Sequence, residues 1–243
     1  MSLTSVVIPV YNEGEALVPY LDAVLTAVSD PREILVVHDM EEDSTVAVAA
    51  RYRDEGHPVR PVLNTYGRGP AYAIHYGLDT AEGDAVIVTM ADGSDDATQI
   101  DALAALIAEG HVVAVASRYM KGGRQIGGPV VKRTLSRLAG VSLNLLARVG
   151  TNDATNSFKG YDPAFVRAVG VNSTAGFEVG IELVAKARRA RKPVAEIPTT
   201  WHDRDEGESR FHLTAWIPRY LKWWFFAFGP ELSEQKLAAR TAS

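Results

Sequence analysis

Five short runs of β-branched and aliphatic residues, spaced by stretches of helical periodicity, constrain this chain more than any other feature. Ser5-Val6-Val7-Ile8-Pro9-Val10 is the first. Leu17, Leu21, Val24, Leu25 and Val28 then recur at helical spacing. Glu33–Val37 is the second run, with a helix expected over 44–53. Val59–Leu63, Ala85–Met90 and Val112–Ala116 complete the series, with helices expected over 69–78 and 98–108. These runs are nearly continuously apolar rather than alternating, so both faces of each strand must be covered. The expected architecture is α/β: a mainly parallel central sheet with helices on both faces. Ligands of such sheets bind beyond the carboxyl ends of the strands. The polar residues that directly follow each run are therefore the first functional candidates.

The chain of 243 residues holds one large domain or two small ones. Its 47% hydrophobic content is enough for a core, and its net charge of −5 argues against a general nucleic-acid binder. Without cysteine there is no disulfide scaffold, thiolate metal site or thiol nucleophile. No Gly-x-Gly-x-x-Gly turn follows the first run, which argues against a dinucleotide-binding dehydrogenase. The start lacks the basic segment of a signal peptide, and no window reaches the ~18 apolar residues of a membrane span. A soluble or peripheral protein is expected.

Further along, the glycine-rich stretch 122–129 reads as a mobile loop. Helices are expected over 131–149 and 179–191, and a late strand over 194–200. Arg188, Arg189, Arg191 and Lys192 read as a solvated helix end that complements the dipole. Eight of the 20 aromatic residues fall between Phe211 and Phe228. Apolar residues from Leu213 to Phe228 recur at i, i+3, i+4 spacing, which suits either a bilayer-interface helix or a core or homodimer helix. The last ten or so residues read as a frayed tail.

Three acidic clusters follow strands: Glu13 after the first, Asp39, Glu41, Glu42 and Asp43 after the second, and Asp92, Asp95 and Asp96 after the fourth. Gathered on one sheet edge they would repel, unless a hard divalent cation with oxygen ligands, Mg²⁺ or Mn²⁺, sits among them. Asp43, Asp95 and Asp96 also suit helix capping. A cationic set comprises Arg118 at the end of the fifth run, and Arg204 and Arg210 with Ser209 in the charged loop after the late strand. Arginine pairs bidentately with phosphate, so these are candidate phosphate clamps, or a surface salt-bridge loop.

Seven stretches carry a resemblance: VVIPVYNE at 6–13, VVHDMEEDST at 36–45, NTYGRGPAYAIHYGL at 64–78, VIVTMADGSDD at 86–96, ASRYMKGG at 116–123, DATNSFKGY at 153–161 and EIPTTWHDRDEGESR at 196–210. In this order they resemble the family 2 glycosyltransferases of the GT-A nucleotide-sugar-binding fold, most of all the polyprenol-phosphate sugar synthases, the group that contains dolichol-phosphate mannose synthase. The resemblance implies that Pro9, Tyr11, Glu13 and Asp39 hold the nucleobase and ribose, and that Gly67, Arg68 and Gly69 form a turn near the nucleotide. It implies that Asp92 is the final Asp of the metal-binding Asp-X-Asp, with Ser94 near the metal. Arg118 matches an arginine near the active site, and Arg204, Ser209 and Arg210 match a late basic loop that grips phosphates. Met90 stands where the first Asp of Asp-X-Asp is expected, His38-Asp39-Met40-Glu41 replaces the usual Asp-Asp-Gly-Ser, and Arg210 stands where Lys is common.

The implied organisation is a GT-A domain over 1–210 followed by an amphipathic aromatic helix and tail over 211–243. The implied reaction is inverting transfer of a hexosyl unit from a UDP- or GDP-linked sugar to a polyprenyl phosphate, with Mg²⁺ or Mn²⁺ at Asp92. That acceptor would place the protein on the cytoplasmic membrane face. An ionised phosphate needs no general base. Transfer to a hydroxyl would need one, for which Asp153 is the candidate. A non-catalytic nucleotide-sugar-binding protein is the third reading, motivated by Met90.

Overall fold

A computed structural model describes residues 2–202 and 213–239, with the side chains of Lys132 and of residues 213–216 left out. Its strands are β1 (Thr4–Pro9), β2 (Arg32–His38), β3 (Val59–Leu63), β4 (Ala85–Val88), β5 (Val113–Ser117), β6 (Arg124–Ile126), β7 (Lys159–Tyr161), β8 (Val194–Pro198) and β9 (Thr200–His202). Its helices are α1 (Val18–Ala27), α2 (Ser44–Asp54), α3 (Pro70–Thr80), α4 (Ile100–Ala108), α5 (Val130–Ala147), α6 (Pro163–Val169), α7 (Val179–Arg189), α8 (Leu213–Phe226) and α9 (Glu234–Ala239).

Among the described residues the main sheet runs β3-β2-β1-β4-β7-β5-β8, with β7 antiparallel to both neighbours and the other pairs parallel. The α/β sheet with helices on both faces is thus as expected. The apolar runs explain it residue by residue. Val7, Leu35, Val37, Val86 and Val88 pack into one core with α3, α6 and α7. Their neighbours Val6, Ile8, Ile34, Val36 and Ile87 pack into a second core with α1, α2 and α4. Alternate residues of one strand therefore serve opposite cores, and each fully buried Val or Ile contributes roughly 1.5–3 kcal/mol. Gly77 lets α3 close onto β1, because a Cβ there would overlap the Val7 side chain.

Four parts differ from the sequence expectations. The glycine-rich stretch contains β6, which pairs in parallel with β9. The expected tail contains α9, whose Leu237 is fully buried in the first core together with Trp223 and Ala227 of the α8 segment. Arg188 and Arg189 are not a solvated run. Arg188 donates to the carbonyls of Ala147 (3.1 Å) and Gly229 (2.7 Å), and Arg189 to that of Pro230 (2.8 Å). The Arg189 guanidinium also lies 4.3 Å from the centroid of the Phe226 ring. These arginines clip the C-terminal segment onto α7. Finally, β7 and α6 have no counterpart among the apolar runs.

No helix among the described residues is long and apolar enough to cross a membrane.

Candidate active site

The carboxyl ends of β1, β2, β4 and β5 share one edge of the sheet. After β1, Asn12 takes a left-handed conformation (φ +55°) and the loop is strapped to the start of α2. The Asn12 and Glu13 amides donate to Asp43 Oδ2 (2.9 Å) and Thr45 Oγ1 (3.0 Å). Asp43 Oδ1 accepts the Thr45 amide at 2.8 Å and so caps α2, as the sequence suggested. Pro9 is buried in the sheet, and Tyr11 stands half exposed beside it.

After β2, Asp39 joins two segments. Its Oδ1 accepts from Asn64 Nδ2 and its Oδ2 from the Gly69 amide, both at 2.7 Å. Asn64 also donates to the Gly67 carbonyl at 2.6 Å. Gly69, at φ +113°, is the residue before α3, a conformation that L side chains rarely adopt. Asp39 thus fixes the turn that carries Gly67, exposed Arg68 and Gly69.

After β4, Asp92 Oδ1 accepts from the Ser94 amide (3.1 Å) and hydroxyl (2.6 Å). Asp96 caps the next helical turn through the Thr98 amide at 3.0 Å. Asp95 does not cap. It is buried, and its Oδ2 accepts from Thr89 Oγ1 (3.0 Å) and the Met90 amide (3.1 Å). Burial, reinforced by the charge of Asp92, pushes its carboxyl up to about 7. Among the described residues, no three His, Asp or Glu side chains are arranged as a metal cage. Mg²⁺ commonly needs only one or two carboxylates when substrate phosphates complete its shell. Half-buried Asp92, oriented by Ser94 at the strand end, fits such a site.

At the end of β5, Arg118 donates from Nε (2.7 Å) and Nη2 (2.9 Å) to the two oxygens of fully buried Asp153. Burial alone would raise this carboxyl, but the Arg118 charge and hydrogen bonds outweigh it and hold it below the usual range. Asp153 is therefore an ionised partner of Arg118, poorly suited to accept a proton. Lys159 of β7 is also fully buried, and its Nζ donates to the carbonyls of Ala154 (3.2 Å) and Asn156. Burial lowers its ammonium to about 7.

Beside Arg118 opens a recess of about 510 Å³ whose lining includes Tyr119, Arg124, Arg133, Arg137 and Leu138. Arg133 and Arg137 are one turn apart on α5 and were missed in the sequence. Their i, i+4 spacing on a helix without acidic residues was the available signal. Lys159 had no such signal, and Asp95 stood out in the sequence only as an acidic residue suited to capping. Arg204, Ser209 and Arg210 lie outside the described residues.

The sequence model of Glycosyl transferase family 2 matches residues 5–170, more than half of the chain. The chain belongs to this family. Within family 2 it is 29% identical over 229 residues to a dolichol-phosphate mannosyltransferase of Pyrococcus furiosus, covering 90% of this chain and 64% of that protein. It thus spans less than two thirds of that relative's length. It is 27% identical to an undecaprenyl-phosphate mannosyltransferase of Micrococcus luteus (84% of this chain, 85% of that one). It is 29% identical to a polyprenol monophosphomannose synthase of Mycolicibacterium smegmatis (85% and 80%). Among solved structures, glucosyl-3-phosphoglycerate synthase of Mycobacterium tuberculosis, in complex with Mn²⁺, UDP and glucosyl-3-phosphoglycerate, superimposes with a TM-score of 0.67. The match covers 96% of this chain and 82% of that one at 17% identity, a likeness of fold. The family 2 glycosyltransferase fold expected from the sequence motifs is therefore the one found.

Proposed function

We propose that the chain transfers a hexosyl unit, with inversion, from a nucleotide-diphospho-sugar to a polyprenyl phosphate. The observation that carries this reading is the recess beside the donor edge. Arg118, Arg124, Arg133 and Arg137 line it, which suits an anionic acceptor group, and exposed Leu138 forms part of its wall, which suits a hydrocarbon chain. The names of the three curated relatives support the same acceptor and favour a mannosyl unit.

In this reading Pro9, Tyr11, Glu13 and Asp39 surround the nucleoside, and Gly67, Arg68 and Gly69 present backbone and charge to the donor. Asp92, with Ser94 holding its orientation, carries Mg²⁺ or Mn²⁺. A cation there supplies electrostatic stabilisation to the departing diphosphate. Arg204, Ser209 and Arg210 add hydrogen bonds and positive charge around the same group. An acceptor phosphate oxygen attacks the anomeric carbon as the bond to the diphosphate breaks, and the electron pair leaves on the diphosphate. The acceptor is already ionised, so no proton has to be removed. Transfer to a hydroxyl has less support, because its candidate base Asp153 is engaged at both oxygens by Arg118. The acceptor is a membrane lipid, so the chain works as a peripheral protein on the cytoplasmic face, touching the bilayer through 213–228.

The test is a panel of UDP- and GDP-linked sugars with Mg²⁺ or Mn²⁺ and a short polyprenyl phosphate, read by mass spectrometry. A hexosylated lipid phosphate with one donor is expected. No glycolipid with any donor would overturn the proposal.

A further inference from the structure

A second recess opens at the far end of α5. It measures about 380 Å³, and Arg148, Arg188, Arg191 and Lys192 line it together with Glu231. Val194, the first residue of β8, forms part of its wall, and β8 runs parallel to β5. The recess therefore lies at the amino edge of these strands, opposite the edge that carries Asp92 and Arg118. It shares no residue with the recess beside Arg118. From Arg137 to Arg148 the helix advances roughly 16 Å.

Two backbone conformations mark this place. Arg148 and Arg191 both have φ +55°, in the left-handed region. Among the described residues three that are not glycine take that region, and two of them line this one recess. Helix ends of this shape call for glycine, and an arginine there is strained. The helix ends do not need these side chains. The Arg148 amide closes on the Asn144 carbonyl (3.0 Å), and the Arg191 and Lys192 amides close on those of Arg188 (3.2 Å) and Ala187 (2.9 Å). Strain kept at two neighbouring arginines points to what their side chains bind.

The fold does not cancel the charge. Glu231 pairs with Arg191 Nε, and Glu234 with Lys192 Nζ at 2.9 Å. Arg188 Nε and Nη1 are taken by carbonyls, which carry no net charge. The exposed Arg148 guanidinium is held by no ion pair or hydrogen bond among the described residues. Four cations thus face two carboxylates. An anion with several acceptor oxygens fits the surplus, and the forked donors of arginine match a phosphate. Pro193 and Val194 add an apolar wall for an organic part.

We propose that this recess binds a small phosphate monoester, with the phosphate between Arg148 and Arg191 and the organic part against Pro193 and Val194. Such a ligand ties the end of α5 to the end of α7 and, through Arg188 and Glu231, to the C-terminal segment. The site is separate from donor and acceptor, and its test uses neither, so it stands or falls apart from the proposed reaction.

Amide NMR spectra of the full chain are recorded during titration with phenyl phosphate and with inorganic phosphate, without divalent cation and at constant ionic strength. Saturable shifts are expected at the amides of Arg148, Gly150 and Lys192, at lower concentration for phenyl phosphate. Glycine suits both left-handed positions, so Arg148→Gly/Arg191→Gly should keep its melting temperature while the Kd read at Gly150 rises by about tenfold or more. Arg148→Ala is the second variant should the double one fail to fold by circular dichroism, and it should raise the same Kd several-fold. Shifts confined to the surroundings of Arg118 and Arg133, no saturation at Gly150, equal affinity for the two phosphates, or an unchanged Kd in a folded variant would each overturn the inference.

Discussion

Arg118 and Asp153 form a buried, two-point ion pair: both guanidinium donors reach the two carboxylate oxygens, and the Arg118 amide donates to Oδ2 at 2.9 Å. The pair joins the end of β5 to the segment before β7, so the wall of the arginine-lined recess and the inner sheet are fixed by one contact. Asp153 holds Arg118 through both of its carboxylate oxygens.

Removing that carboxylate leaves a buried guanidinium without its counter-charge. Asp153→Asn should therefore lower stability by about 3–5 kcal/mol. Urea denaturation measures this directly. A loss below about 1 kcal/mol would mean that the pair is solvated and weak.

Asp95 gives the protein a pH dependence of definite sign. Its carboxyl is pushed up to about 7 when folded, against about 3.9 unfolded. Between these values the folded chain keeps a proton that the unfolded chain releases, so this group makes stability fall as pH rises from about 4 towards 7. Asp95→Asn should remove that part of the slope. Denaturation midpoints across this window, for both proteins, check it; parallel curves would contradict it.

Asp92 is assigned the cation. Asp92→Asn keeps its size and one acceptor for Ser94, so the fold should hold. Affinity for UDP or GDP in Mn²⁺ should fall by about tenfold or more, the scale of one lost contact to a charged group, and reach the cation-free value. Calorimetric titration with and without Mn²⁺ reads both quantities. Unchanged cation dependence would move the metal elsewhere.

Leu237 distinguishes a packed C-terminus from a frayed one. It is fully buried, so Leu237→Ala should cost about 2–5 kcal/mol. A substitution in a frayed tail would stay within about 0.5 kcal/mol.

The sequence displays the sheet because the inner stretches of β1, β2 and β4 are covered on both faces and are apolar residue after residue. Val6 and Val7 serve different cores, and neither tolerates a polar residue. β7 escapes notice because it is three residues long and begins with Lys159, whose burial depends on carbonyls supplied by Ala154 and Asn156. Local pattern identifies Asp43 and Asp96 as caps but misassigns Asp95, since all three suit the same short motif and only the path of the loop turns Asp95 inward. Arg188 and Arg189 look solvated because their acceptors, Gly229 and Pro230, lie 41 residues away. The motifs at the strand ends name Asp39, Asp92 and Arg118 because each follows a run that is easy to see. Arg133 and Arg137 reach the same edge only through the packing of α5.

The central claim is that the arginine-lined recess selects an ionised phosphate acceptor. Its most direct measurement compares polyprenyl phosphate with the corresponding polyprenol, at equal concentration and with the same donor and cation. The account predicts glycolipid from the phosphate alone, with Arg133→Ala and Arg137→Ala each raising the acceptor KM while leaving the donor KM unchanged. Comparable product from the alcohol, or an unaltered acceptor KM in both variants, would contradict it.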